Sequence, residues 1–265
     1  MKRRTCLTAL GTSALSLWFG PAAHAQVHDL SDAINKAGRQ RMLSQRMAKA
    51  WLALVHGVET QNAQRVLDKS MALFDRQLIE LKAFAPSPEI KLTYSMLELE
   101  WSDFKTALIG AAPDKTGAAA LLQRDSHVLA LANQGTGQYE ATLGKPVGKL
   151  VNVAGRQRML SQRMAKFYLA ARLDVGAASS MAEIMKARSE FITANAVLRD
   201  SPLATPRIRQ ELEQAQGQWV FFDHALQKLK PGSGSDRESV EVFQASENLL
   251  LAMDSVTALY SAIKL

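Results

Sequence analysis

The sequence predicts an all-α protein made of two tandem antiparallel four-helix bundles, eight long helices in up-down order. The first observation behind this prediction is a repeat: the block AGRQRMLSQRMAK fills residues 37–49 and recurs unchanged at 154–166. The second is a shared helix start, Ser87-Pro88 in the first half and Thr205-Pro206 in the second. The third is composition, because aromatic residues make up only 6% of the chain and no long stretch alternates as a strand does.

Start and stop signals order the first half into four helices. The predicted spans are residues 31–57, 60–84, 88 to about 113, and about 115–143. Ser31 or Asp32 can cap the first helix, and Gly57 can end it. Gly135 and Gly137 are expected to interrupt the fourth helix, since glycine weakens a helix interior.

The second half follows the same plan, ending with a helix at about 236–263. The apolar stripe of the third helix also recurs, in the order Trp101, Phe104 and Leu108, then Trp219, Phe222 and Leu226. Repetition over this length indicates a duplicated domain rather than a copied motif. We therefore predict two domains, residues 26–144 and 145–265. The sequence leaves open whether they pack side by side or end to end.

Residues 1–25 are predicted to be a signal peptide that is cleaved before Gln26. A basic start at residues 2–4 precedes a mostly apolar stretch at 6–19 and an A-x-A site at 23–25. The Arg3-Arg4 pair leaves both the general and the twin-arginine export routes open. No later stretch reaches the roughly 18 apolar residues that a membrane span needs. We expect a soluble periplasmic protein.

The remaining composition argues against several functions. Cys6 is the only cysteine and leaves with the signal, which excludes disulfides and thiolate metal sites. Removing the three basic residues at 2–4 lowers the formal charge from +7 to +4, too little to indicate nucleic-acid binding. The mature histidines are scattered, and no catalytic or phosphate-binding motif is present. We predict no enzyme activity, no cofactor and no metal site.

A helical wheel divides the repeated segment into two faces. One face is a core stripe of Leu43, Met47, Ala50 and Leu54. The opposite face carries small and apolar residues around one Arg-Gln pair, in the order Ile34, Gly38, Arg41, Gln45, Ala48 and Leu52. Small residues allow another helix to come close, so this second face is predicted to contact a partner helix. Arg39 and Arg46 share a flank between the two faces.

The arginines of such a face indicate an anion site. Arg41 and Arg46 would repel the same residues of a matching helix, and burying unpaired ions costs several kcal/mol. An oxyanion between the helices would relieve this, because guanidinium groups match its geometry. Gln45 and Ser44 could complete the shell with neutral hydrogen bonds. Solvated arginines and core-filling methionines are the simpler reading, but solvated faces would not stay identical in two copies.

At these residues the chain resembles the PilJ/NarX-like periplasmic sensor domains of type IV pilus chemoreceptors and nitrate-responsive sensor kinases. The motif I-N-x-A-G-x-x-R-M-x-S-x-R of that family fits residues 34–46 throughout, and it fits 151–163 with Val151 for isoleucine. The resemblance implies a four-helix bundle that dimerises, with nitrate held between two motif helices. Carried over by position, the ligand-binding residues would be Arg41, Arg46, Arg158, Arg163, Gly38, Gly155, Gln45 and Gln162.

Unlike receptors of that family, this chain is expected to have neither a membrane span nor a signalling module. The expected function is a periplasmic sensor or binding protein for a small oxyanion, nitrate or nitrite, which relays to a separate signalling or transport partner. The motif helices would pair as an intramolecular pseudo-dimer or in a homodimer. The alternative is a ligandless helical module that docks on a chemoreceptor, sensor kinase or transporter component.

Overall fold

The structure, a computed structural model, describes residues 26–264. That part of the chain forms eight α-helices and contains no strand, which confirms the all-α prediction. The helices are α1 (Leu30–His56), α2 (Thr60–Phe84), α3 (Pro88–Ile109), α4 (Ala118–Leu143), α5 (Pro146–Arg172), α6 (Ala177–Arg199), α7 (Pro206–Leu226) and α8 (Asp236–Ser261). The predicted signal peptide lies outside the described residues. Within them, no helix combines the length and the apolarity needed to cross a membrane.

Most helix ends follow the predicted signals. Gly57 ends α1 in the left-handed conformation at φ 70°, which glycine adopts without strain. The side chains of Ser87 and Thr205 each accept a hydrogen bond from the backbone N–H three residues later, at the starts of α3 and α7. The N-cap of α1 was predicted wrongly, because Asp29 rather than Ser31 or Asp32 accepts the capping bond.

The fourth helix departs from the prediction that glycines interrupt it. α4 continues from Ala118 to Leu143 through both Gly135 and Gly137. A β-carbon on Gly135 would lie 2.9 Å from the ring of Tyr94, so this glycine gives an aromatic side chain of α3 room against α4. Close packing, rather than a break in the helix, accounts for that glycine.

The two motif helices, α1 and α5, lie side by side in the centre and run in the same direction. Near their N-terminal ends, a β-carbon on Gly148 would lie 3.3 Å from Cδ1 of Ile34. Near their C-terminal ends, Nε2 of His56 lies 2.9 Å from the carbonyl oxygen of Leu169. α2 and α4 pack on α1, and α6 and α8 pack on α5. On the outside, α3 packs on α4 and α7 packs on α8. The predicted domain boundary falls in the turn at Gly144 that joins α4 to α5.

Each half is held together by the same contacts. Gln40 donates from its side-chain amide to the carbonyl of Phe74 at 3.2 Å, and Gln157 donates to that of Phe191 at 2.9 Å. The Tyr139 hydroxyl donates to the carbonyl of Leu81, as that of Tyr260 does to Leu198. These matched bonds establish which residues of the two halves are structurally equivalent, so that α4 corresponds to α8 and α2 to α6.

The contact between α1 and α5 is close, and it requires glycine. Leucine at Gly155 would press on Arg158, Arg41 and the Cα of Gly38, all within 4 Å of its β-carbon. We expect Gly155→Leu to lower the free energy of unfolding by about 1–3 kcal/mol, the usual cost of overpacking. Urea denaturation measures the difference. The matched control is Gly137→Leu, since nothing lies within 4 Å of that position. The control should be neutral or stabilising because it removes a helical glycine, and equal losses in both variants would contradict the prediction.

Candidate functional site

The candidate site lies where the predicted partner faces of α1 and α5 meet. A β-carbon on Gly38 would lie only 3.8 Å from the Cα of Gly155, and the reverse distance is the same. The residues predicted for the partner face of α1 are all buried here, in the order Ile34, Gly38, Arg41, Gln45, Ala48 and Leu52. The partner-face prediction is therefore confirmed, and the partner is the second motif helix of the same chain.

Two arginine side chains, Arg41 and Arg158, fill the space beside these glycines. They are 1% and 0% exposed. Their terminal nitrogens approach one point, since a β-carbon on Gly38 would lie 3.2 Å from Nη2 of Arg41 and 3.7 Å from Nη2 of Arg158. Each arginine crosses to the opposite motif helix. Nη2 of Arg41 donates to Oδ1 of Asn152 at 2.7 Å, and Nη2 of Arg158 donates to the carbonyl of Asn35 at 3.0 Å.

The outer nitrogens of the two guanidinium groups meet different acceptors. Nη1 of Arg41 donates to the amide oxygen of Asn133 in α4 at 3.0 Å. Nη1 of Arg158 donates to the carboxylate of Asp254 in α8 at 2.5 Å. Asn133 and Asp254 are equivalent positions, each six residues before the matched tyrosine of its helix. One arginine of the pair therefore has a carboxylate partner, whereas the other hydrogen-bonds to neutral groups.

Burial and like charge act together on these arginines. Burial lowers the pKa of Arg41 to about 9, and the nearby charges of Arg156 and Arg158 add to the shift. Burial and Arg39 lower the pKa of Arg158 to about 10, although Asp254 opposes them. Both side chains remain charged at neutral pH. Within residues 26–264, Nε of neither arginine makes a hydrogen bond, so each keeps an unused buried donor.

The comparisons with known proteins identify the family. The sequence matches PilJ, the type IV pili methyl-accepting chemotaxis transducer N-terminal domain, over residues 22–135 and 144–231. The chain belongs to this family. A search of curated proteins and a search of solved structures each gave no significant match. The PilJ domain is a sensory, signalling type of domain rather than a catalytic one, and its occurrence in two segments agrees with the internal repeat.

The structure brings together only two of the four arginines assigned by resemblance. Nε of Arg46 donates to Glu247 of α8 at 3.0 Å, and Nη2 of Arg163 donates to Glu183 of α6 at 2.8 Å. A single site lined by all four therefore does not describe this PilJ protein as folded. The reason is helical geometry, since residues five apart point about 140° apart around the axis. Arg46 accordingly lies on the flank of α1, beside the site rather than in it.

The two glutamines assigned to the site lie further along the same interface. Nε2 of Gln45 donates to Asp125 at 2.7 Å, and its Oε1 accepts from Nζ of Lys166 at 2.7 Å. Nε2 of Gln162 donates to the carbonyl of Ser246 at 2.9 Å. Both glutamines are fully buried and tie the motif helices to α4 and α8. Their amides connect the helices of the core, whereas the arginine pair lies one to two turns nearer the N-terminal ends.

Two buried lysines were missed in the sequence, although each is the last residue of the repeated block. Nζ of Lys166 lies 2.5 Å from Asp125, with both side chains fully buried. Nζ of Lys49 lies 2.6 Å from Glu247 and donates to Ser246 at 2.9 Å. The carboxylates come from α4 and α8, which lie outside the identical block, so only the recurrence of the lysines in that block could have indicated a role. Among the described residues, no group of three His, Cys, Asp or Glu side chains could hold a metal ion.

Glu247 makes the free energy of unfolding depend on pH in the acid range. Burial raises the pKa of this carboxyl, but the charges of Lys49 and Arg46 and their hydrogen bonds lower it to about 2, against 4.5 ordinarily. Because the folded pKa is below the unfolded value, Glu247 stabilises the fold above pH 4.5. This contribution, of about 3 kcal/mol, is lost as the pH falls from 4.5 towards 2.

We expect Glu247→Gln to remove that part of the acid dependence. At pH 7 it should destabilise the protein by about 3–5 kcal/mol, since Lys49 then keeps a buried charge without its carboxylate. The measurement is the free energy of unfolding between pH 2 and 7, with Glu213→Gln at an exposed position of α7 as control. If wild type and Glu247→Gln lose stability in parallel on acidification, Glu247 is not the group responsible.

Proposed function

We propose that this PilJ-family protein is a sensor or binding protein for a small oxyanion, with nitrate or nitrite the favoured ligand. The observation that carries the proposal is the pair of buried guanidinium groups of Arg41 and Arg158 at the α1–α5 contact. Two like charges held this close favour an anion between or beside them. A planar oxyanion suits the planar fork of an arginine side chain.

The hydrogen-bonding state of the pair supports the same ligand class. The three acceptors of the Arg41 guanidinium nitrogens are amide or backbone carbonyl oxygens, and the Nε–H of each arginine is unused among the described residues. A small anion could accept from these donors, whereas a bulky ligand would not fit beside Gly38 and Gly155. Compact size and delocalised negative charge are therefore the expected properties of the ligand.

The position of the pair suggests how binding would be transmitted. Arg41 belongs to one half of the molecule and Arg158 to the other, and each reaches an asparagine on the opposite motif helix. An anion that drew both guanidinium groups towards itself would alter the spacing of α1 and α5. We propose that this change is read by a separate signalling or transport partner in the periplasm, after export of the chain and removal of residues 1–25.

Thermal unfolding with added nitrate, nitrite, sulfate and chloride tests the proposal. A ligand at about a hundred times its dissociation constant should stabilise the protein by roughly 2.7 kcal/mol. Arg41→Lys and Arg158→Lys keep the positive charge but lose the planar set of guanidinium N–H donors. Each substitution should therefore weaken nitrate binding by at least about tenfold, or about 1.4 kcal/mol. Arg65→Lys, at an exposed position of α2, should leave nitrate binding unchanged.

The proposal is contradicted if none of these anions, at millimolar concentration, stabilises the protein against thermal unfolding. The protein would then fit the alternative, a ligandless helical module that captures its signalling partner in dialysed, anion-free buffer. Equal binding by Arg65→Lys and Arg158→Lys would instead indicate an anion bound elsewhere on the basic surface.

A further inference from the structure

A cavity of about 280 Å³ opens between α4 of the first half and α5 and α6 of the second half. Its polar lining includes Ser126, Asn133, Arg156, Arg163 and Lys186. Its apolar wall is formed by Leu129, Met159, Leu160 and Ala187, among others. The buried pair of Arg41 and Arg158 is not part of this lining, and the cavity therefore presents a second candidate site.

The internal repeat shows what is distinctive about this cavity. Around the first motif helix, Glu247 and Asp254 of α8 face α1 and form ion pairs with Arg46 and Arg39. The equivalent residues of α4, which face α5, are Ser126 and Asn133, at the same distances before the matched tyrosines. The two carboxylates that face α1 are thus replaced by a hydroxyl and an amide where α4 faces α5.

Carboxylates of α6 neutralise only part of the positive charge around the cavity. Glu183 and Glu190 of α6 pair with Arg163 and Arg156, whereas the equivalent positions of α2 are apolar, Val66 and Leu73. With Lys186, the cavity lining holds three cationic and two anionic side chains. Behind it, Arg41 shares the oxygen of Asn133 with Arg156, at 3.0 Å and 3.3 Å. The local excess of positive charge suits a monoanion.

We propose that this cavity is a ligand site for a small organic monocarboxylate with a short apolar chain. Its carboxylate would lie beside Asn133 and Arg156, as the side chain of Asp254, the equivalent residue of α8, lies beside Arg158 and Arg39. The amide nitrogen of Asn133 and the guanidinium of Arg156 are both donors suited to a carboxylate. The chain would lie against Leu129, Met159 and Leu160. The volume is near the lower end for ligand pockets, which limits the ligand to a small molecule.

Calorimetric titration with acetate, propionate and butyrate tests this site. Affinity should rise about three- to fourfold with each added methylene as more of the chain is buried. Asn133→Asp supplies the carboxylate that α8 already has at the equivalent Asp254, and should weaken butyrate binding at least tenfold while raising the melting temperature. The matched control is Asn248→Asp on the exposed face of α8, which should leave butyrate affinity unchanged.

A second variant separates this site from the proposed nitrate site. Ala130→Phe fills the cavity from an exposed position of α4 without contacting the buried arginine pair. It should abolish butyrate binding and leave any stabilisation by nitrate intact, while Arg158→Lys should do the reverse. The proposal is overturned if butyrate does not bind at up to about 20 mM, or if Ala130→Phe binds butyrate as tightly as wild type.

Discussion

The close contact of Gly38 with Gly155 is the constraint on which the rest of the structure depends. Without a β-carbon on either residue, α1 and α5 approach until their backbones nearly touch. Arg41 and Arg158 can then reach across to Asn152 and Asn35 on the opposite helix. The same contact excludes water from the guanidinium groups, so that burial lowers the pKa of both. Helix spacing and site electrostatics thus have a single origin.

Charge is balanced differently around the two motif helices, although both carry the same repeated block. Two carboxylates of α8 face the basic flank of α1. Around α5, the carboxylates come from α6, and α4 contributes neutral side chains beside an open cavity. The fully buried pair of Lys166 with Asp125 adds a further difference, because the equivalent lysine, Lys49, binds Ser246 and Glu247 instead. Identical helices therefore lie in unlike electrostatic surroundings.

Much of this architecture could be predicted from periodicity and caps, because both are local properties of a helix. The two faces of α1 and the starts of α3 and α7 are examples. The wheel gives the direction of a side chain but not its partner. The wheel consequently could not show that Asn133 and Asp254 accept hydrogen bonds from the buried arginines. Nor could it show that Arg46 pairs with Glu247 on the flank of α1. The predicted break of α4 at Gly135 was wrong for a related reason, since the role of this glycine depends on Tyr94 of a neighbouring helix.

The short turn at Gly144 has an evolutionary consequence beyond its geometry. In a symmetric homodimer every substitution appears twice, once on each side of the axis. Joining the two motif helices in one polypeptide removes that restriction, and their pairing no longer depends on protein concentration. Asparagine at 133 and aspartate at 254 can then coexist, one on each side of the same helix pair. Covalent linkage lets one side of the helix pair keep its charges neutralised while the other side remains free to diversify.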